Sequence, residues 1–409
     1  MKRPKDKIVI EEIPGGVMAA AGFRTASLHC GIKRKKPDIA MLVAERRVPV
    51  AGIFTTNRIV AAPVVWSRRV ARSGWARGVI VNSGNANACT GKTGEADTRE
   101  MAALAAKVLD ARPADMFVAS TGVIGRLLPM TKIRKGIRAL PEKLATGPRA
   151  ATDFARGIAT TDAFLKEFAV RVRVGKRVFH VGGAAKGAGM ISPKMATLLA
   201  FLTTDAAVPP PILKRLLART AETSFNAITV DGHMSTNDSL ILLASGGSGV
   251  SVGKDALLRK ALLEGIKRVS IHLAKEVVRD GEGATRLLTV RITGARTKAA
   301  AAAIARAIAN SPLVKTAIYG GDPNWGRFLS AVGYAGVPFS PSKLRLILGK
   351  TLIFAGGEPR RLSSETIRRI FAEEEIDLTV EMNDGRHDVT VWTCDLTPEY
   401  VHLNSAYTT

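Results

Sequence analysis

The chain has 409 residues, 46% hydrophobic and 5% aromatic, with 38 glycines, which suits a compact α/β protein of two or more lobes and argues against a fibrous or disordered one. Lys and Arg number 60 against 35 Asp and Glu, a formal charge of +25 that points to nucleic acid, an acidic surface or an anionic substrate. Three dispersed cysteines without a CxxC argue against a disulfide framework or structural zinc site, and no run of about twenty apolar residues is present to span a membrane.

In chain order, MKRPKDKIVIEEIP lacks the apolar core of a secretory signal, so a cytoplasmic setting is expected. The run Lys33-Arg34-Lys35-Lys36 reads as a solvated basic face, because few aromatics lie among the scattered basic residues. Strands are expected at 49–54 (PVAGIF) and 78–82 (GVIVN). Residues 98–109 set Met101, Leu104, Ala105 and Val108 on one helical face. Val170, Val172 and Val174 alternate with Arg171 and Arg173, and Gly175-Lys176 then turns the chain into RVFHV, a hairpin. Helices follow at 211–220, 264–279 and 298–309, with a strand at 288–293. A second hairpin is expected through Asn383-Asp384-Gly385, between IDLTVEM and DVTVWT. Interleaved helices, strands and local hairpins give an α/β (α+β) fold with mixed sheets packed with helices. No linker marks a boundary; the working division is a main lobe, 1–284, and a smaller C-terminal lobe, 285–409.

Familiar catalytic signatures are absent. ANACTGKT lacks the first glycine of a phosphate loop, since Ala86 stands there. GAGMIS puts Ser192 where a dinucleotide fingerprint needs its last small residue. There is no GxSxG and no HExxH, and the six histidines are dispersed, so no metal or cofactor is expected. The segment KGAGMISPKMATLLAFLTTDA, 186–206, offers no histidine and no carboxylate before Asp205. It does offer Thr197. A threonine hydroxyl becomes a nucleophile when its own α-amino group, freed by cutting the preceding bond, takes its proton. That amine has a pKa of about 7.7–8.0 and needs no histidine. The residues alone favour the plainer reading of Thr197 as a buried β-branched core residue.

This segment resembles the cleavage-site region of the ornithine acetyltransferase (glutamate N-acetyltransferase) family. Further stretches match in the same order: AGIFTTNRIVAAPV, VNSGNANACTG, ASTGVIGRLLP, TSFNAITVDGHMSTND, KEVVRDGEGATRLLTV, GGDPNWGR and the terminal NSAYTT. The resemblance covers nearly the whole chain. It implies an N-terminal-nucleophile-type fold of the DmpA kind and self-cleavage between Ala196 and Thr197. An α-chain of 1–196 and a β-chain of 197–409 would stay together in an α2β2 assembly. It implies that Thr197 takes the acetyl group of N2-acetyl-L-ornithine and passes it to L-glutamate in a ping-pong reaction of arginine biosynthesis. Some members also accept acetyl-CoA as co-substrate.

By the same resemblance Thr121 and Gly122 form the oxyanion hole, and Thr160, Lys186, Thr197, Glu282, Asn404 and Thr409 contact substrate. The types suit the roles: a hydroxyl and an unhindered N–H for a developing oxyanion, an ammonium for a carboxylate, a carboxylate for an ammonium. Ala188, Ser192 and Lys194 depart from the usual pattern beside the cut. Two other readings compete: an N-terminal-nucleophile amidase or aminopeptidase, releasing acetate or amino acids to water, and a basic nucleic-acid-binding protein, which leaves the matched stretches unexplained. The acetyltransferase reading entails neither nucleic acid nor membrane as partner.

Overall fold

The computed structural model describes residues 7–192 and 198–406. Among them, nine strands form one mixed sheet: β1 (Ile8–Ile13), β2 (Phe23–Leu28), β3 (Ile39–Phe54), β4 (Trp75–Asn85), β5 (Met116–Val123), β6 (Lys166–Val174), β7 (Arg177–Lys186), β8 (Leu199–Thr204) and β9 (Ser239–Ala244). The order is β1-β6-β7-β8-β9-β3-β4-β5, with β2 also on β3. The pairs β4–β5 and β8–β9 are parallel, and the others antiparallel. The helices of this part are α1 (Ala62–Ser73), α2 (Gly91–Lys107), α3 (Met130–Ala139), α4 (Gly147–Ile158), α5 (Pro210–Glu222) and α6 (Ala256–Arg279).

Strand β3 divides this sheet. Its first part pairs with β2 and β4, its last five residues pair with β9, and its register on β4 shifts between Val43 and Val48. Such irregularities bend a strand and raise its twist. Residue parity then assigns the faces. Val170, Val172, Val181, Leu202 and Leu242 pack under α5 and α6. Phe201, Ile241 and Leu243, of opposite parity, meet Leu42, Val81 and Phe117 of the other half and Phe154 of α4 in a shared core. Met41, Ile80 and Val118 face α2 and α3. The two halves of the sheet are thus folded over one core, with helices outside, and this brings the end of β5 beside the end of β7.

A second sheet is built from β10 (Leu287–Ala295), β11 (Arg345–Leu348), β12 (Thr351–Ala355), β13 (Glu358–Pro359), β14 (Glu375–Glu381) and β15 (His387–Cys394), in the order β13-β12-β11-β14-β10-β15. Helices α7 (Lys298–Ala309), α8 (Pro312–Gly320), α9 (Trp325–Gly333) and α10 (Ser364–Phe371) cover it, and α11 (Pro398–Ala406) follows β15.

The expected α/β architecture with mixed sheets is observed, and the 170–181 hairpin and the helices at 211–220 and 298–309 stand where the pattern put them. Three local readings change. The hairpin through Asn383-Asp384-Gly385 is not one: β14 and β15 do not pair, because β10 lies between them, parallel to β14 and antiparallel to β15. The connecting loop bonds to β10 itself, with Met382 N–H donating to Thr293 O at 2.8 Å and Asp384 N–H to Gly294 O at 2.9 Å. The helix expected at 264–279 begins eight residues earlier at Ala256, capped by Asp255, whose carboxylate accepts from Leu258 N–H. Lys33 leaves the solvated face: it is half-buried, and its ammonium donates to Pro37 O at 2.8 Å and Ala159 O at 2.5 Å.

Candidate active site

Strand β7 ends at Lys186, opposite Leu199 at the start of β8, and Leu199 is level with Ser239 at the start of β9. The connection 187–198 therefore leaves the sheet at this edge. Ala196 and Thr197 fall within it, in the stretch 193–197 outside the described residues, as does Thr409 at the C-terminus. Around this edge lies a cavity of about 360 Å³ whose walls include Thr121, Gly122, Thr160, Lys186, Glu282 and Asn404. These are the described positions expected to serve the reaction. They come from five separate stretches of chain, and the fold brings all six together.

Thr121 and Gly122 lie near the end of β5. A side chain at Gly122 would meet the Gly84 carbonyl carbon at 2.3 Å and Asn85 N at 2.5 Å, and its φ of 130° lies in the region that favours glycine. Neighbouring backbone is thus tight against β4. Gly122→Ala is expected to cost about 2–4 kcal/mol of stability, read as a lower melting temperature, because backbone rather than a flexible side chain must give way. Asn237 ties the loop before β9 to this point, its amide donating to Ala86 O at 2.6 Å and Ser120 O at 2.9 Å.

Lys186 is 4% exposed, and its ammonium donates to Thr121 Oγ1 at 3.2 Å. Burial lowers its pKa, opposed by the Asp162 carboxylate. The arrangement leaves the Thr121 hydroxyl hydrogen available to another acceptor, and a cation on its oxygen strengthens it as a donor.

Behind the wall is a network the sequence reading missed. Lys166, fully buried, donates to Asp162 at 2.7 Å and to Asp280 at 2.5 Å. Asp162 also accepts from Thr160 N–H at 2.7 Å and Gly187 N–H at 2.8 Å, and Asp280 from Ala163 N–H at 3.1 Å. One ammonium therefore fixes the loop of Thr160, the residue after Lys186, and the turn that carries Glu282. Burial pushes the Asp162 carboxyl up, but the Lys186 and Lys166 ammoniums outweigh it and hold it well below the usual range. For Asp280 burial wins over Lys166, and its pKa is raised. A signal was available: Lys166 continues the inward row of Val170, Val172 and Val174, where a lysine needs a partner. Lys33 adds a brace from outside. Its bond to Ala159 O supports the residue before Thr160, and burial lowers its pKa to about 8.

Glu282 N–H donates to Ala188 O at 3.0 Å, and Asn404 of α11 donates to Glu282 Oε2 at 3.0 Å. Tyr400 of the same helix reaches Asp231 Oδ2 at 3.5 Å. Asp231 in turn accepts from Met190 N–H at 2.6 Å and Ile191 N–H at 3.0 Å, which fixes the upstream flank of the 193–197 stretch. Among the described residues no group of three or more His, Cys, Asp or Glu side chains is arranged to hold a metal ion, and no helix is long and apolar enough to cross a membrane. The cavity thus presents a hydroxyl, a backbone turn, a buried ammonium and a carboxylate–amide pair, a set suited to an amino acid and to an oxyanion.

Comparison with known proteins places the chain in a family. The chain is 45% identical over 404 residues to the arginine biosynthesis bifunctional protein ArgJ of Symbiobacterium thermophilum, covering 98% of this chain and 100% of that protein. It is 44% identical over 408 residues to the protein of the same name from Gloeobacter violaceus, covering 98% and 99%. Among solved structures it is similar to the Bacillus halodurans arginine biosynthesis bifunctional protein, at 37% identity and a TM-score of 0.43, over 46% of this chain and 98% of that one. The ArgJ family model matches residues 24–409, and on that match and those identities the chain belongs to the ArgJ family, whose members are acyltransferase enzymes.

Proposed function

We propose that the chain cuts itself between Ala196 and Thr197 and then transfers the acetyl group of N2-acetyl-L-ornithine to L-glutamate, within arginine biosynthesis. The observation that carries this reading is the convergence of Thr121, Gly122, Thr160, Lys186, Glu282 and Asn404 on one cavity, at the edge where β8 starts two residues after Thr197. The free α-amino group of Thr197 takes the proton of its hydroxyl, and the oxygen attacks the acetyl carbonyl. Charge gathers on that carbonyl oxygen, which the Thr121 hydroxyl and the Gly122 N–H receive; one such donor is worth about 2.7–4 kcal/mol. Ornithine leaves with the returned proton, and the neutral α-amine of glutamate attacks the acetyl-threonine in the reverse sense. Lys186 holds an amino-acid carboxylate and Glu282, steadied by Asn404, an ammonium.

Ornithine keeps a side-chain ammonium throughout, whereas the glutamate amine must be neutral to react. Glu282→Gln is therefore expected to raise KM for acetylornithine about 10- to 100-fold, the worth of one charged hydrogen bond, and KM for glutamate much less. Steady-state kinetics with each substrate varied in turn reads this split.

The relatives are named bifunctional, and we extend a second activity, acetylation of glutamate by acetyl-CoA, to this chain. We also propose an α2β2 assembly, a cytoplasmic location, and lobes at 1–284 and 285–409. The test incubates the protein with acetylornithine, with and without glutamate, and separately with acetyl-CoA and glutamate. Equal amounts of ornithine and N-acetylglutamate, with turnover dependent on glutamate, support the reading. Steady release of acetate without glutamate would favour an amidase.

A further inference from the structure

This inference rests on the proposed self-cleavage at Ala196–Thr197 and concerns the proton that cleavage needs. The stretch containing the bond is held on both sides by aspartates from one segment. Asp231 accepts the backbone N–H groups of Met190 and Ile191 upstream. Asp238 Oδ1 accepts Leu198 N–H at 2.9 Å downstream, on the peptide that joins Thr197 to Leu198.

The two carboxyls differ in surroundings. Asp231 opens on the cavity and also meets the His233 N–H and the Tyr400 hydroxyl. Asp238 is 1% exposed, and its Oδ2 is buried with no hydrogen-bond partner among the described residues. The nearby Thr55 hydroxyl donates its one hydrogen to Ser235 O at 2.7 Å. The Asp238 backbone is fixed by Thr55 N–H, which donates to its carbonyl at 3.1 Å, so the side chain is rooted where β3 meets the start of β9. Burial pushes its pKa well above the carboxylate range, against the Leu198 N–H, the nearby Thr55 hydroxyl and the Lys186 ammonium. A buried carboxyl with an unpaired oxygen is destabilising, and such groups mark sites where a proton or a partner arrives. Neither the oxyanion donors nor the substrate contacts account for it.

We propose that Asp238 supplies the proton that the Thr197 nitrogen takes up when the Ala196–Thr197 bond breaks. Thr197 Oγ bonds to the Ala196 carbonyl carbon, the C–N bond breaks, and the Asp238 proton goes to the departing nitrogen. The proton lost by the hydroxyl restores the Asp238 carboxyl. Water then hydrolyses the ester, leaving Ala196 with a carboxyl group and Thr197 with a free amine and hydroxyl.

The test follows cutting of the full-length chain by intact mass at successive times after synthesis. Asp238→Asn keeps an acceptor for Leu198 N–H but has no proton of suitable acidity. It is expected to accumulate uncut while folded by near-ultraviolet circular dichroism, cutting at least about 100-fold more slowly than wild type. Asp238→Ala leaves space for a small acid, and added formate is expected to restore cutting with a saturating dose dependence, where chloride at equal ionic strength does not. A purely structural aspartate would not respond to formate. Thr197→Ala sets the uncut baseline. An asparagine variant that cuts at the wild-type rate, or a folded alanine variant that formate leaves uncut, overturns the proposal while self-cleavage stands. A wild-type chain that stays whole yet transfers acetyl groups overturns the self-cleavage reading instead.

Discussion

Thr197→Ala is expected to leave one uncut chain and to lower acetyl transfer on the order of 10⁴- to 10⁶-fold, the range seen when an activated nucleophile is removed. In the proposed reaction one substitution removes two functions, because the same hydroxyl would open the peptide bond and carry the acetyl group. The residual rate would come from substrate positioning and the oxyanion donors. Thr197→Ser keeps the hydroxyl and is expected to cut and to transfer, so the pair separates loss of chemistry from loss of fold. In the proposed reaction the base is the freed α-amine, a group whose ordinary pKa is about 7.7–8.0 and which works when neutral. The rate of transfer should therefore fall as pH drops below about 8. Rates that stay constant from pH 8 to 6 would argue against the amine as base.

The second large effect belongs to Lys166. Removing it leaves Asp162 and Asp280 buried without their shared cation, and such losses cost about 3–5 kcal/mol. The sign of the pH dependence follows from the carboxyls. In the wild type Asp162 is held low by the Lys186 and Lys166 ammoniums against burial, so it contributes stability above the unfolded carboxyl pKa and loses it on acidification. Asp280 is already raised by burial, and its effect runs the other way, with stability lost as pH rises through its folded pKa. Lys166→Met moves both carboxyls upward. Its deficit against wild type should be smallest near pH 5 and grow towards pH 8, as measured by melting temperature across that range. Because Thr160, Gly187 and the Glu282 turn all hang on this network, KM for both amino acids should rise as well. A deficit independent of pH would mean that the lysine acts through packing alone.

Much of this was legible where the signal is local. Gly175-Lys176 between alternating valines gave a true hairpin, and Pro210 and Thr297 open helices at the expected places. Asn383-Asp384-Gly385 carries an equally good turn signal, but a turn does not say what lies between its strands, and β10 enters from nearly ninety residues upstream. The site divides the same way. Thr121, Gly122, Thr160, Lys186, Glu282 and Asn404 were named from the family resemblance, and the fold draws them round one cavity. Lys166, Asp231 and Asp238 were not named, since much of their meaning lies in partners 40 to 114 residues away or, for Asp238, in an oxygen left without one. Lys33 looked like part of a charged run, and its burial follows from the Asp38 carboxylate, which gathers the backbone N–H groups of residues 30–33 and folds the loop onto Ala159.

The central claim is that the enzyme makes its own nucleophile. Intact mass and N-terminal sequencing of freshly purified protein test it most directly. The account predicts two chains, the second beginning Thr-Leu-Leu-Ala-Phe at residue 197. A single chain of 43.5 kDa that nonetheless transfers acetyl groups would contradict it.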